Sequence, residues 1–480
     1  MKSNAPCVLL WFRRDLRLCD NKAVSLALKH HLPVIPLYIW DDLSEGECAQ
    51  LWLHEALTDL KLQLGKIKSH LVVERGNPEE VFQELISKLN IKAVFWNKSY
   101  DAGSYEEEDR IKKLLRKLGI DVFSLDSCLL SNPDSVMNKK GEPYKVFTPY
   151  YKALRSTLKV FEDLPDFDCS VPLNWPESES IDDLDLVEPW GKDVISNWNA
   201  TREGAEDALN RFIENALIRY AEDRDFPAIQ GTSRLSPYLH IGQLGPREVY
   251  NAIQKSSLED EIKEVFIRQL IWREFAYYIL HHFPQLPICS LDNDFERYPW
   301  SEDRKMLLAW RKGQTGYPLV DAAMRQLWKT GWMHNRLRML VGSFLVKDLI
   351  QDWRHGYRWF MNTLLDADIA CNGFGWQWVA GCGCDASPYF RVFNPYRQSM
   401  TFDPSGDFIR KYVPELKALP DKWIHCPSEA PTQVLKDANI ILGETYPHIL
   451  VPHQQARDQA LNGYYMIKGK RENGNRSKTQ

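Results

Sequence analysis

No run of about 18 apolar residues occurs in the chain, which excludes a helical membrane span. The opening stretch MKSNAPCVLLWFRRDLRL has a short apolar run followed at once by charges, so it predicts a first strand and not a secretory leader. Paired cysteines are also missing. Ten are scattered over the chain, and the closest two, Cys382-Gly-Cys384, have no second pair at zinc-site spacing. That excludes a disulfide scaffold and a zinc ribbon, and it predicts reduced thiols, a cytoplasmic protein and no bound metal. No G-x-G-x-x-G turn follows the first strand, so dinucleotide binding in the usual place is unsupported. Excess positive charge is absent as well: 60 Lys and Arg against 65 Asp and Glu give a net charge of -5. A surface basic all over is thereby excluded, whereas a local basic groove is not.

What is present begins with length. At 480 residues the chain exceeds one compact core, and 44% apolar content suits a globular protein of two or three domains. The first 130 residues alternate strand-like and helical segments. Strands are predicted at 7–12, 33–39, 70–74, 93–97 and 121–125, with helices at 21–31, 49–67, 78–90 and 104–118. The third of these helices opens with NPEE at Asn77, a cap residue, then proline, then acids on the helix dipole. Such alternation predicts a doubly wound parallel sheet, an α/β domain over 1–130.

Residues 162–193 carry eleven acids, one lysine and four prolines, which predicts a linker running over the surface within 131–199. An all-α domain is predicted over 200–465, from three-and-four apolar spacing at 202–221, 245–255, 259–282, 319–329, 333–350 and 356–365. The polar, basic end, 466–480, reads as a flexible tail.

Several segments carry possible chemistry. In GTSRLSPYLHIGQLGP (231–246), Thr232, Ser233 and Arg234 precede Ser236-Pro237, a helix start. The spacing fits a phosphate site and equally a capped helix behind a polar loop. In GWMHNRLRMLVGSFLVKDL (331–349), Asn335, Arg338 and Met339 share a helix face. LLDADIACNGFGWQW (364–378) offers Asp366 and Asp368, then Asn372 before a Gly-containing turn. An Arg338–carboxylate pair is either a tie between helices or part of a site. His334 is given no catalytic role. Of 17 tryptophans, ten lie between Trp272 and Trp423. Trp300, Trp353 and Trp376, in separate segments, are ordinary core aromatics unless a redox cofactor lies at one end.

In the order LLWFRRDLRLCDN (9–21), RDFPAIQGTSRLSPYL (224–239), LIWREF (270–275), GYPLVDAAMRQL (316–327), GWMHNRLRM (331–339) and DASPYFRVFNP (385–395), these segments resemble the DNA photolyase and cryptochrome family over nearly the whole chain. The pattern is most similar to bacterial class I enzymes acting on cyclobutane pyrimidine dimers. The resemblance implies an α/β domain, a linker and a large helical domain holding FAD. It also implies a reaction, in which reduced FAD donates an electron under light to a lesion flipped out of UV-damaged DNA. A monomer is expected.

Residue by residue, the resemblance puts Tyr220, Thr232, Ser233, Arg234, Leu235 and Ser236 around the ribityl and phosphates of FAD. Arg338 and Asp366 match an ion pair over the isoalloxazine, and Asp368 a partner at the ring edge. Asn372 matches the residue beside flavin N5, favouring the reduced anion. Trp376, Trp353 and Trp300 match a photoreduction relay from flavin to surface. Arg224, Trp272, Asn335, Arg336, Met339, Trp378 and Arg391 match the lesion pocket and its DNA rim. Six-four photolyases carry two histidines where this chain has Asn335 and Met339, so cyclobutane dimers are the expected substrate. Relatives with an iron–sulfur cluster use a cysteine quartet that this chain lacks. A second, antenna chromophore (folate or deazaflavin) is possible, but 97–104 departs from the usual pattern and the loop at Cys289 is short.

Within FIRQLIWREF (266–275), Arg273 and Glu274 are expected to support the site, and Gln269 stands where most class I enzymes carry Glu. There the acid is thought to bond the lesion carbonyls. The competing reading is a cryptochrome-like blue-light sensor with little repair activity; the lack of a long extension after the helical domain weighs against it.

Overall fold

A computed structural model describes residues 5–41, 46–100, 103–165, 167, 171, 175–187, 190–386 and 390–469. The predicted tail from 470 onward lies outside the described residues, as do Asp101 and Ala102 of the expected antenna region and Ser387, Pro388 and Tyr389 of the last matched motif. Among the described residues no helix is long and apolar enough to cross a membrane.

The predicted alternation is borne out. Strands β1 (Pro6–Phe12), β2 (Val34–Trp40), β3 (Val72–Arg75), β4 (Asn90–Asn97) and β5 (Asp121–Leu125) form one parallel sheet in the order β3-β2-β1-β4-β5. Helices α1 (Lys22–Leu28), α2 (Glu47–Lys66), α3 (Pro78–Lys88) and α4 (Ser104–Lys117) connect them. β2 is buried at every position, as a strand covered on both faces must be. Leu9, Trp11, Ile35, Phe82, Trp96 and Ile111 belong to one continuous core cluster. Asn77 caps α3 by accepting from Glu79 N, with Pro78 first in the helix.

After β1 the chain turns through a buried polar knot. Asp15 accepts from Arg13 N at 2.7 Å and from Asn97 Nδ2 at 2.6 Å, and Asn21 caps α1 while donating to Asp15. Gly242 closes the same region. Its φ is +78°, and a Cβ there would lie 2.1 Å from the Arg14 carbonyl oxygen, so only glycine fits.

The chain folds as two compact units. The first holds Met1–Ala221, Thr232–Pro284 and Met361–Cys371; the second holds Glu222–Gly231, Gln285–Phe360 and Asn372–Gln480. Apart from the sheet the structure is largely helical, as expected.

Four local readings change. The helix expected over 202–221 is α-helical over Arg202–Arg211, then widens to a π turn over Phe212–Ala216 and tightens at Leu217–Arg219. The one expected over 333–350 likewise ends in a π turn over Phe344–Asp348. Apolar spacing is blind to one inserted residue per turn. Asn372 does not precede a turn but lies inside the helix Ile369–Ala380. Its glycines do not break it: a Cβ on Gly373 would meet Leu286 at an ordinary 3.4 Å, and one on Gly375 would meet nothing within 4 Å. Finally, the acidic stretch is not merely a surface linker. Ile181, Leu184 and Leu186 are buried, and Glu179 N donates to Val73 O of β3 at 2.8 Å, so a few apolar residues anchor it against the sheet edge.

Candidate functional site

In the first unit, polar chemistry gathers around Asp368. The carboxylate is buried. It accepts from the Tyr277 hydroxyl and from Cys371 N at 2.7 Å, and His240 Nδ1 stands 4.0 Å away. The Arg14 guanidinium lies 3.0 Å from Nε2 and 3.3 Å from Nδ1 of that imidazole. Burial opposes ionisation of Asp368, but the His240 contact, the Arg273 charge and the Cys371 N–H outweigh it and hold the carboxyl well below the usual range. Asp366 is also buried, and its carbonyl accepts from Asp368 N at 2.7 Å.

The long helix Asp260–His282 presents two polar faces to this unit. On one, Arg273 pairs with Glu274 at 3.2 Å and lies over the Tyr277 ring. Glu274 Oε2 accepts from Leu130 N at 2.7 Å. Burial pushes its carboxyl up to about 7, against the lowering pull of Arg273 and the backbone N–H groups. On the other, Trp272 is stacked on Phe147 with centroids 3.5 Å apart and planes 6° apart, and Arg268 lies over Phe147 and Tyr151. Phe147 and Tyr151 went unnoticed in the sequence, because nothing local in 147–151 points to Trp272. Gln269 is half-buried and its Nε2 donates to Val265 O, one turn back, at 3.3 Å.

The hydroxyl segment lies in the same unit. Ser236 does start a helix, Ser236–Ile241, with proline in its first turn. Thr232 and Ser233 are half-buried, Leu235 is buried, and Ser236 is exposed. Arg234 adopts φ +54° and lies over the Trp198 ring at 4.2 Å. Tyr220 is buried beside Phe212 and Phe266. Hydroxyls with a guanidinium suit phosphates, and buried carboxylates suit ribityl hydroxyls and ring N–H groups, so the donor set fits FAD.

In the second unit, Trp376 is 3% exposed, Trp353 0%, and Trp300 is half-exposed. Trp376 packs on Phe360 and on Gly356, where a Cβ would fall 2.0 Å from the indole. Gly356 lies three residues after Trp353 in the helix Trp353–Thr363, and Trp353 Nε1 donates to Ser290 Oγ at 3.2 Å. Trp300 leads into Ser301, which bridges Gln351. The three indoles thus follow one another along adjoining backbone. Asn372 donates to Tyr357 O at 3.1 Å on the same helix. Arg338 donates to Met333 O at 2.8 Å.

A basic rim is also present in this unit. Asp225 gathers Arg336, at 2.7 Å, and Arg224, at 4.0 Å. Asp225 went unmentioned in the sequence reading, although it adjoins Arg224. Asn335 is exposed, with Nδ2 3.9 Å from Met339 Sδ. Trp378, Arg391, Lys347 and Phe390 line a single cavity. Arg391 is exposed and its carbonyl accepts from Lys347. Burial lowers the Lys347 ammonium to about 7.

The doubly wound sheet, the hydroxyl segment with its guanidinium and the buried carboxylates of the first unit mark a flavoprotein. More specifically, the chain belongs to the DNA photolyase family. Residues 8–170 match the DNA photolyase model, and residues 266–466 match the FAD binding domain of DNA photolyase, so the chain carries an FAD-binding domain. It is 43% identical to a deoxyribodipyrimidine photo-lyase of Agrobacterium fabrum, over 96% of this chain and 98% of the relative. A solved bacterial class III photolyase from Agrobacterium tumefaciens aligns with a TM-score of 0.94 at 42% identity, covering 98% of this chain and 99% of the other. Cryptochrome-2 of Arabidopsis thaliana is 35% identical over 94% of this chain and 77% of its own length. Where the resemblance pointed to class I, this solved relative is of class III.

His334 caps the helix Asn335–Ser343 by accepting from Arg336 N at 3.2 Å. Burial, aided by Arg336 and Arg338, pushes its imidazole down from 6.5 to about 4. The folded state therefore binds fewer protons than the unfolded state between those values. Stability is fully present above pH 6.5 and falls by roughly 3 kcal/mol as pH drops to 4. In acid titrations followed by circular dichroism, His334→Gln should lose less stability than the parent across that window. Equal losses would show that His334 is not the group responsible.

Proposed function

We propose that this protein repairs cyclobutane pyrimidine dimers in DNA, driven by light. One observation carries the reading most: Asn335 and Met339 lie together at the surface of one helix turn, beside the Asp225-held rim of Arg224 and Arg336. That face offers an amide and a soft thioether to a lesion where six-four enzymes are expected to offer two imidazoles. Reduced FAD, when bound, supplies the electron that opens the cyclobutane ring.

The remaining work falls to side chains. Arg224, Arg336 and Arg391 take phosphates and fix the register of the strand. Trp272 and Trp378 offer aromatic faces to extruded bases. Trp272 is braced for this by Phe147 behind it. Tyr220, Thr232, Ser233, Arg234, Leu235 and Ser236 hold the ribityl and phosphate groups of FAD, and the family resemblance assigns its ring system to Asp366 and Asp368 of the first unit and to Arg338 and Asn372 of the second. Trp300, Trp353 and Trp376 carry reducing electrons inward. Gln269 bonds a lesion carbonyl but cannot pass a proton. An amide NH2 always carries hydrogens to donate, whereas a carboxyl donates only when protonated.

A blue-light sensor is the second reading, favoured by the neutral Gln269 and by the similarity to Cryptochrome-2. The two separate in one assay: chemically reduced, FAD-loaded protein is illuminated with dimer-containing DNA and intact bases are counted. Repair above the dark control is expected, and Gln269→Glu should raise the yield per photon by about two-fold or more. Dimers left untouched would overturn the repair reading, and an unchanged yield in the variant would remove the role of Gln269. A separate variant, Trp376→Phe, should slow photoreduction at least about ten-fold while chemically reduced enzyme still repairs. Equal loss of both would contradict the relay.

A further inference from the structure

The helix Asp260–His282 ends on two adjacent histidines, and the turn Pro133–Ser135 lays a carboxylate beside them. His281 Nε2 lies 2.7 Å from Asp134 Oδ1, and its Nδ1 lies 2.6 Å from the Tyr105 hydroxyl. His282 Nε2 is buried and has no hydrogen-bond partner. The ring of His282 is hydrogen-bonded to the backbone of Pro133, so that bond falls to Nδ1. One ligand atom from each of Asp134, His281 and His282 lies within 4.8 Å of the others. The two imidazoles stand 4.7 Å apart at 78°.

We propose that Asp134, His281 and His282 form a site for a divalent transition ion of the zinc type. Metal-binding histidines characteristically donate the second ring N–H to a carbonyl or other oxygen, which fixes the tautomer and aims the free lone pair. Both histidines have such an oxygen at Nδ1: the Pro133 carbonyl for His282 and the Tyr105 hydroxyl for His281. Without metal, His281 Nε2–H donates to Asp134 and Tyr105 donates to Nδ1. With metal, the ring proton moves to Nδ1, the tyrosine oxygen accepts it, and Nε2 takes the ion. No net redox change or leaving group is involved.

Two neutral nitrogens and one carboxylate suit zinc, whose bonds of about 2.0–2.2 Å set tetrahedral ligand atoms roughly 3.3–3.6 Å apart, so the 2.7 Å Asp134–His281 pair opens to admit the ion. Thiolate-seeking ions are not favoured, because no sulfur is in the set. Asp134 is 67% exposed, so the ion has an entry path and a fourth position open to water. The ion would also sit at a helix C-terminus, where the dipole favours positive charge. It would fasten the 133–135 turn to the end of the helix that carries Gln269 and Trp272.

The test uses the full-length, FAD-loaded protein, stripped with a chelator and dialysed against zinc alone at micromolar free concentration. One equivalent of zinc is expected, with a first shell of nitrogen and oxygen by zinc-edge X-ray absorption. A His281→Gln/His282→Gln double variant should lose that equivalent. Asp134→Asn, an exposed and structurally mild change, should weaken binding by about ten-fold or more. No zinc bound, the same stoichiometry in the double variant, unchanged affinity in Asp134→Asn, or sulfur in the first shell would each overturn the proposal.

Discussion

Asp368 is a charge that the fold has taken out of water. An isolated carboxylate in such a place would cost several kcal/mol, and it stays ionised only because donors converge on it. Those donors come from distant parts of the sequence: Tyr277 from the long helix, His240 from the short helix after the hydroxyl segment, and Cys371 N–H from the start of the helix Ile369–Ala380. Each is held in turn. Arg14, from the turn after β1, fixes His240, and Arg273 adds positive charge beside Tyr277. The first unit is therefore knit together around one carboxylate, with the sheet, the hydroxyl segment and the long helix all tied to it. On the proposed reading, the same charge that costs stability provides the electrostatic floor for a bound cofactor.

Much of this was legible in the sequence where local periodicity carries the information. The five strands and four helices of the sheet region follow from alternation and caps, and the Ser236-Pro237 helix start was visible as such. Spatial pairing was not legible. Nothing near Trp272 announces that Phe147 lies flat on it, and nothing near Arg336 announces Asp225, because each pair is made by tertiary packing. Composition misled at Ile181 and Leu184, where two or three buried side chains outweigh a run of acids. Glycine misled at Gly373, which lies within a helix and not at a turn.

The candidate site divides in the same way. Its residue types came from resemblance, whereas their setting came from geometry. Trp376 and Trp353 are buried and Trp300 is half-exposed, and the missing side chain of Gly356 lets Trp376 settle on the helix bearing Trp353. Gln269 remains the position where this chain departs from the class I pattern. Its Nε2 donates to Val265 O along the helix, a neutral amide donor where the class I pattern has an acid.

The central claim is that the buried charge of Asp368 holds the cofactor. Asp368→Asn keeps the shape and removes the charge, so the ratio of FAD to protein after purification, with the dissociation constant of FAD, tests it most directly. The account predicts affinity lower by about ten-fold or more in a variant that melts as one folded protein. Full FAD occupancy with an unchanged dissociation constant would contradict it.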